Sequence, residues 1–393
     1  MATTPVTGTA TRLHGLDTLR AGALGLGIVL HSLMPFVPGL PWLVSDTRST
    51  GLAVAGMYWI HLFRMVLFMA LAGYFGRLVL HRRGARAYLS DRLLRVGLPA
   101  VALWPLAALP LPVLAQVNLM LRGLEPPAAP GPPADVDLLH VFTPAHLWFL
   151  WVLLECALLV VVLRAGAVRL LGADRCGRIS RRLGTVLSGR AGAVLAALPY
   201  LACLLLQGRV EAGVEEPTTV VPSLTALTAY SGAFVVGWCL QASAGSLARL
   251  TRHWRGHLVA GLLLAPAGFL LPAGQTPLLL HGTVLALAGW TWAFALTGLC
   301  MRFLDRESRT VRYLADASYW SYLLHLPVLV AVGIALADLA WPIPLKLAVT
   351  WAVTAAVLLL SYDLLVRSTW LGSWLNGRRR PRALSRRSRS TGR

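Results

Sequence analysis

The chain has 393 residues, of which 56% are hydrophobic and only 13% charged, and its mean hydropathy is +0.65. Soluble domains carry about 25% charged residues, so this composition excludes an ordinary soluble enzyme and points to a polytopic membrane protein. The formal net charge of +20 would fit a nucleic-acid partner only if it lay on one soluble face, and its distribution along the chain argues against that.

The first segment, "MATTPVTGTATRLHG", lacks the charged, apolar and cleavage-site order of a signal peptide, so the first apolar run is expected to be retained. Ten membrane-spanning helices are expected, at about 18–38, 58–80, 96–118, 144–163, 191–208, 221–243, 257–272, 278–300, 317–336 and 343–366. The fold class is therefore all-α and multi-pass, in the cell (inner or plasma) membrane. The external segment "RGLEPPAAPGPPADVDLL" is Pro-rich and reads as a loop. The five cysteines, Cys156, Cys176, Cys203, Cys239 and Cys300, include no C-x-x-C pair, so neither a disulfide framework nor a metal site is expected.

Charge sorts the connecting segments into two sides. The N-terminal segment and segments 77–95, 164–190, 249–255, 302–312 and 367–393 hold 31 of the 36 basic residues. The other side keeps Arg48, Arg64, Arg122, Arg209 and Lys346, with eight acids: Asp46, Glu125, Asp135, Asp137, Glu211, Glu215, Glu216 and Asp338. The positive-inside rule then places both termini in the cytoplasm. The tail "GRRRPRALSRRSRSTGR" is expected to be disordered and to lie against anionic lipid heads. The expected partners are membrane lipids, with no nucleic acid.

Intramembrane polar residues are the functional candidates. Arg20 and His31 are eleven residues apart, which returns them to within about 20° of one helix face and separates them by roughly 16 Å. Asp17 precedes His31 by fourteen residues and stays near that stripe. Placed near mid-membrane, His31 is either hydrogen-bonded glue between helices or a proton-transfer group facing a cavity. Arg20 is either a snorkelling cation or a ligand-binding one. In the second span His61 and Arg64 share a face. His146 and Trp148 open the fourth span, and Glu155 lies seven residues after Trp148, inside that span. In the ninth span Ser318, Tyr322 and His325 recur at spacing 0, 4 and 7. They are read as cavity lining or as interhelical hydrogen-bonding groups.

The string "LDTLRAGALGLGIVLH" resembles the first helix of the membrane acyltransferase family 3, whose hallmark is an Arg or Lys, ten residues, then an essential His. Arg20 and His31 match it. The wider string "RLHGLDTLRAGALGLGIVLHSLMPF" is similar to the branch that contains glucans biosynthesis protein C. Three further blocks agree in order: "FRMVLFMALAGYFGRLVLHRRGARAYLSDRLLRVGLP", in which Arg92 and Arg95 match a cytoplasmic R-x-x-R motif, "PAHLWFLWVLLE", and "LADASYWSYLLHLPV".

The resemblance implies an O-acyltransferase that moves an acetyl or succinyl group from cytoplasmic acyl-CoA to a hydroxyl of an extracytoplasmic or membrane-associated glycan. It implies no permanently bound cofactor. Arg20, Arg92 and Arg95 would bind the phosphates of acyl-CoA, because a guanidinium grips phosphate in a fork. His31 would act as general base, with Asp17 clamping Arg20; an acyl-histidine is the second route. His61 and Arg64 would face the acceptor or polarise the thioester. The expected organisation is a cytoplasmic segment 1–15, an acyltransferase domain 16–367 and a basic tail 368–393. The alternative reading is a transporter or flippase for a glycan or lipid precursor.

The charge count makes a direct prediction. Reporter fusions at Glu125 and Glu215 should read outside and those at Arg178 and Arg386 inside; an outside reading at Arg178 would remove the ten-span arrangement.

Overall fold

A backbone in lipid finds no water to bond, so its N–H and C=O groups must pair within their own segment. The apolar runs accordingly fold as helices, and no strand occurs among the described residues. The structure is a computed structural model that describes residues 13–123, 143–211, 213–272 and 274–383. Glu125, Asp135, Asp137 and Arg386 lie outside them.

Helix α1 (His14–Leu33) ends where Pro35 enters a 3₁₀ turn, Met34–Phe36. Helix α2 (Gly51–Arg92) is capped by the Thr50 side chain, which accepts from the Leu52 amide, and it passes into a π-helical turn, Leu93–Gly97. Pro99, Pro105 and Pro110 each remove a backbone donor. The expected span 96–118 is consequently broken into α3 (Leu98–Ala102), α4 (Trp104–Ala108) and α5 (Pro110–Arg122).

A 3₁₀ turn, Ala145–Leu147, leads into α6 (Trp148–Leu171). The arginine-rich α7 (Ala173–Leu187) meets α8 (Gly192–Leu206) at 105°. There follow α9 (Leu224–Ala242), α10 (Ser246–Leu270), α11 (Leu278–Phe303), α12 (Arg309–Leu336) and α13 (Ile343–Ser361). A second π-helical turn, Tyr362–Val366, and α14 (Trp370–Asn376) complete the described chain.

Among the described residues, eight helical segments are long and apolar enough to cross a membrane, and nine if α7 and α8 form one broken span. The other two expected spans, 191–208 and 257–272, fall on the 15-residue α8 and on the apolar second half of α10. The first half of α10 carries Arg249, Arg252 and Arg255. Part of the expected basic tail, residues 368–383, lies among the described residues: α14 buries Leu375, and Asp316 pairs with Arg378 and Arg380 at 3.8 and 3.0 Å. Glu155 is joined by Asp363 as an acid inside an expected span. Asp363 lies in the last expected span, is buried, and pairs with Arg367 at 3.6 Å.

Helices α2 and α9 approach backbone to backbone. A Cβ at Gly73 would meet the Phe234 carbonyl, and one at Gly237 the Ala70 carbonyl. Small residues allow such contact in membranes, where apolar burial between helices gives little drive and close packing supplies it. Helix α1 packs against α2, α11 and α12. Helices α1 and α12 start at the same end, where the Gly15 amide donates to Asp305 Oδ1 at 2.7 Å.

The sole lysine has a structural task. Lys346 is fully buried, lies 2.7 Å from Asp46 Oδ2, and donates to the Ala337 carbonyl at 3.1 Å. Thr47 Oγ1 also donates to Ala337 O, at 3.1 Å, and Arg48 to Ala340 O, at 3.0 Å. Loop 37–50 is thereby fastened to the α12–α13 junction. Breaking one side of a buried pair leaves an uncompensated charge and costs about 3–5 kcal/mol. Lys346→Met should therefore lower the unfolding temperature in detergent sharply, and Asp46→Leu combined with it should recover part of the loss.

Candidate active site

The helices enclose a cavity of about 1710 Å³, lined at one end by Arg20, Arg92 and Arg95 and at the other by Arg122, Arg209 and Glu216. Helix α1 supplies one wall. Arg20, Leu24, Gly27 and His31 recur at helical spacing, and all four line the cavity. Asp17 does not line it; it stands behind Arg20 at 3.5 Å. The His31 imidazole occupies the last turn of α1, because Pro35 stops the α-helix just beyond it.

Three histidines converge there. The His31 ring lies 5.2 Å from that of His325, and the His325 ring 5.4 Å from that of His146. Trp42 stacks on His31 at 6.1 Å. The partner of each imidazole is an acceptor, which favours the tautomer that carries the proton on the contacting nitrogen. His325 Nδ1 donates to the Tyr322 carbonyl at 2.7 Å, and His146 Nε2 to the Leu323 carbonyl at 3.0 Å. His31 Nδ1 faces the Met34 thioether at 3.3 Å, an acceptor only. These contacts leave lone pairs on Nε2 of His31 and His325 and on Nδ1 of His146. Among the described residues the last has no partner.

The sequence explains why Leu323 is available. Its helical donor would be the amide of residue 327, which is proline. His146 replaces the missing N–H. Tyr322 then closes the cluster, its hydroxyl donating to the His146 carbonyl at 2.5 Å. His146 itself follows Ala145, whose φ of +51 is strained for a residue with a Cβ. Pro327 was quoted in the late-helix block, but its consequence is visible only when the 3₁₀ turn is seen beside α12.

Arg64 reaches the same cavity from α2. It is 8% exposed, and among the described residues no ion pair or hydrogen bond is made to it. Its guanidinium fills the space beside Gly27 that a Cβ would occupy. Gly27 lies one turn from His31 on the α1 stripe, so Arg64 sits between Arg20 and His31 along that wall. Farther along, His61 Nδ1 lies 3.8 Å from Glu216, and Glu215 from Arg209 at 3.5 Å. Loop 207–221 is held in place by Tyr200, whose hydroxyl accepts from the Val214 amide, and by Tyr230, whose hydroxyl donates to the Val214 carbonyl.

At the Arg20 end, one carboxylate organises the R-x-x-R turn. Asp91 holds Arg95 at 3.1 Å and Arg92 at 3.5 Å, and Arg92 stacks over Tyr88. Asp91 was missed from sequence, although it directly precedes the motif. Ser318 and Tyr322 line the cavity with His325, so the expected face of α12 is the one presented. Trp148 is buried against Tyr230, with ring centroids 5.6 Å apart, and also lines the cavity. Glu155 is not brought to the cavity wall; it lies half-buried on α6, with Oε2 unpartnered among the described residues. No group of His, Cys, Asp and Glu suited to a metal ion occurs among the described residues.

A family profile described as an acyltransferase domain matches residues 13–366. Glucans biosynthesis protein C of Escherichia coli K12 is 31% identical over 156 residues, which is 39% of this chain and 39% of that protein. The proteins of the same name in Shigella boydii and Shigella dysenteriae are 30% identical over 156 and 158 residues, again 39% of each chain. The chain thus spans about 39% of the length of the curated relatives it matches. No solved structure matches significantly.

Proposed function

From the premise that this chain belongs to the acyltransferase family 3, we propose that it transfers an acyl group, acetyl or succinyl, from cytoplasmic acyl-CoA to a hydroxyl of an extracytoplasmic or membrane-associated glycan. The observation that carries this reading is the single cavity linking the arginine mouth to the histidine cluster and on to the Glu216 end. A phosphate-bearing donor and a hydroxyl acceptor can meet in it from opposite sides. The charge count supports ten spans, cytoplasmic termini and a cytoplasmic arginine mouth.

In this mechanism Arg20, Arg92 and Arg95 hold the anionic end of the donor, and the pantetheine arm runs along the α1 stripe. The roughly 16 Å rise from Arg20 to His31 is of the right order for such an arm. Arg64 lies between them and is the group to polarise the thioester carbonyl. A buried arginine without a direct ion pair is costly in a membrane even with Glu216 in the same cavity, and charge developing on that oxygen compensates it. Such preorganised donors contribute strongly where charge appears in the transition state.

His31 Nε2 takes the proton of the acceptor hydroxyl as its oxygen attacks the thioester carbon. The tetrahedral intermediate collapses with cleavage of the C–S bond, and the imidazolium returns the proton to the departing CoA sulfur. His325 and His146 keep the cluster in register through their carbonyl bonds. His61, Trp148 and the loop bearing Glu216 face the acceptor. A transporter would require the same polar groups but no acyl-CoA.

Two measurements test the reading. Arg92→Ala and Arg95→Ala should weaken acyl-CoA binding in detergent, and the wild-type affinity should fall with salt because the contact is ionic; unchanged affinity in both variants would assign the arginines to membrane anchoring. General-base catalysis is worth about 10²–10⁴-fold. His31→Gln keeps a hydrogen-bonding group but cannot act as a base, so it should lose transfer by that factor while retaining fold and donor affinity. Wild-type transfer by the Gln variant would make His31 structural.

A further inference from the structure

We propose that the segment following the last span, residues 370–377, is part of the donor site, shaping the arginine mouth and setting the position of Arg95 for the nucleotide phosphates of CoA. The proposal deepens the donor reading above and rests on it. Its starting point is the π-helical turn Leu93–Gly97, which carries Arg95. In that turn the Leu98 amide bonds back to Leu93 O, so the next carbonyl, Leu94 O, would take the amide of residue 99. Residue 99 is proline and has none. Trp374 of α14 supplies the donor, its Nε1 reaching Leu94 O at 2.9 Å. From the other side Tyr319 donates to Val96 O at 3.2 Å. The turn bearing Arg95 is thus gripped between α12 and the 370–377 strap.

The strap also contacts the arginine itself. Gly377 adopts φ +72, and a Cβ there would run into the Arg95 guanidinium. Only glycine meets both demands at no cost. Asp91 at 3.1 Å and the Gly377 backbone thus flank the half-exposed Arg95 guanidinium at the mouth. Leu375 and Asn376 line the same cavity. The Asn376 amide nitrogen is tied to the Asp316 carbonyl at 3.0 Å and to the Tyr362 hydroxyl at 3.3 Å, which fixes its carboxamide at the wall. Beyond it, Asp316 pairs with Arg378 and Arg380, and Arg367 donates to the Pro381 carbonyl at 2.8 Å. These bonds hold the strap across the mouth. A mouth with two oriented guanidiniums and a fixed carboxamide suits a nucleotide bearing several phosphates.

The test measures binding of CoA itself to the full chain in detergent, with unfolding temperature as the control for fold. Gly377→Ala and Trp374→Phe should each weaken binding about tenfold, the order expected for one charge-assisted contact. Gly377→Ala should add nothing in an Arg95→Ala background, because both act through the same guanidinium. Asn376→Ala should weaken binding in either background. If Gly377→Ala fails to fold, Trp374→Phe and Asn376→Ala decide the matter. Adenosine 3′,5′-bisphosphate should compete for the site, whereas phosphatidylglycerol should not. Competition by the lipid alone, or wild-type CoA affinity in the strap variants while Arg95→Ala is weakened, would overturn the proposal. Wild-type affinity in both Arg92→Ala and Arg95→Ala would remove the donor reading, and the strap's role with it.

Discussion

A backbone carbonyl that its own helix cannot bond takes its donor from elsewhere in the fold, and in this chain two such carbonyls stand beside the candidate site. Pro327 leaves Leu323 O open, and His146 fills it at 3.0 Å. Pro99 with the π-helical turn leaves Leu94 O open, and Trp374 fills it at 2.9 Å. In each case the donor comes from an element remote in sequence. A local defect in one helix therefore becomes a tertiary bond beside a side chain of the candidate site: His146 next to His325, and the turn that carries Arg95 next to Asp91. Without these prolines the carbonyls would be satisfied within their helices, and the 3₁₀ turn and the strap would each lose one of the bonds that hold them, leaving Tyr322 on the His146 carbonyl and Asp316 on Asn376, Arg378 and Arg380.

The same economy governs charge. Lys346 and Asp46 are buried, but each has the other, and their bond fastens the loop after α1. Arg64 is buried with no such partner among the described residues. The contrast separates structural ionic groups from those held ready for something else. A charge in a direct ion pair can only anchor; one that shares a cavity with Glu216 but makes no direct pair keeps a cost that a ligand or a transition state can offset.

The acyl-transfer reading draws on both features. The α1 stripe provides the axis, from Arg20 past Gly27 to His31. The gap at Gly27 admits Arg64 from α2, and the late helix brings His325 to the same level. The groups to which that reading gives the chemistry come from helices whose relative height is set by packing, and His325 and His146 are each held through one ring nitrogen by a backbone carbonyl.

Composition and charge alone determined that the chain is helical and membrane-spanning, because an apolar run of about twenty residues has no other stable form in lipid. Helical periodicity alone put Arg20 and His31, and likewise Ser318, Tyr322 and His325, on common faces, because those relations lie within one helix. Relations between helices were not legible. That His31, His325 and His146 form one cluster, that Asp91 and Gly377 flank Arg95, and that Glu155 stays off the cavity wall depend on how helices rotate and slide against each other. That register is decided by backbone contacts such as Gly73 on Phe234, and by proline-freed carbonyls that can be answered only from elsewhere in the fold.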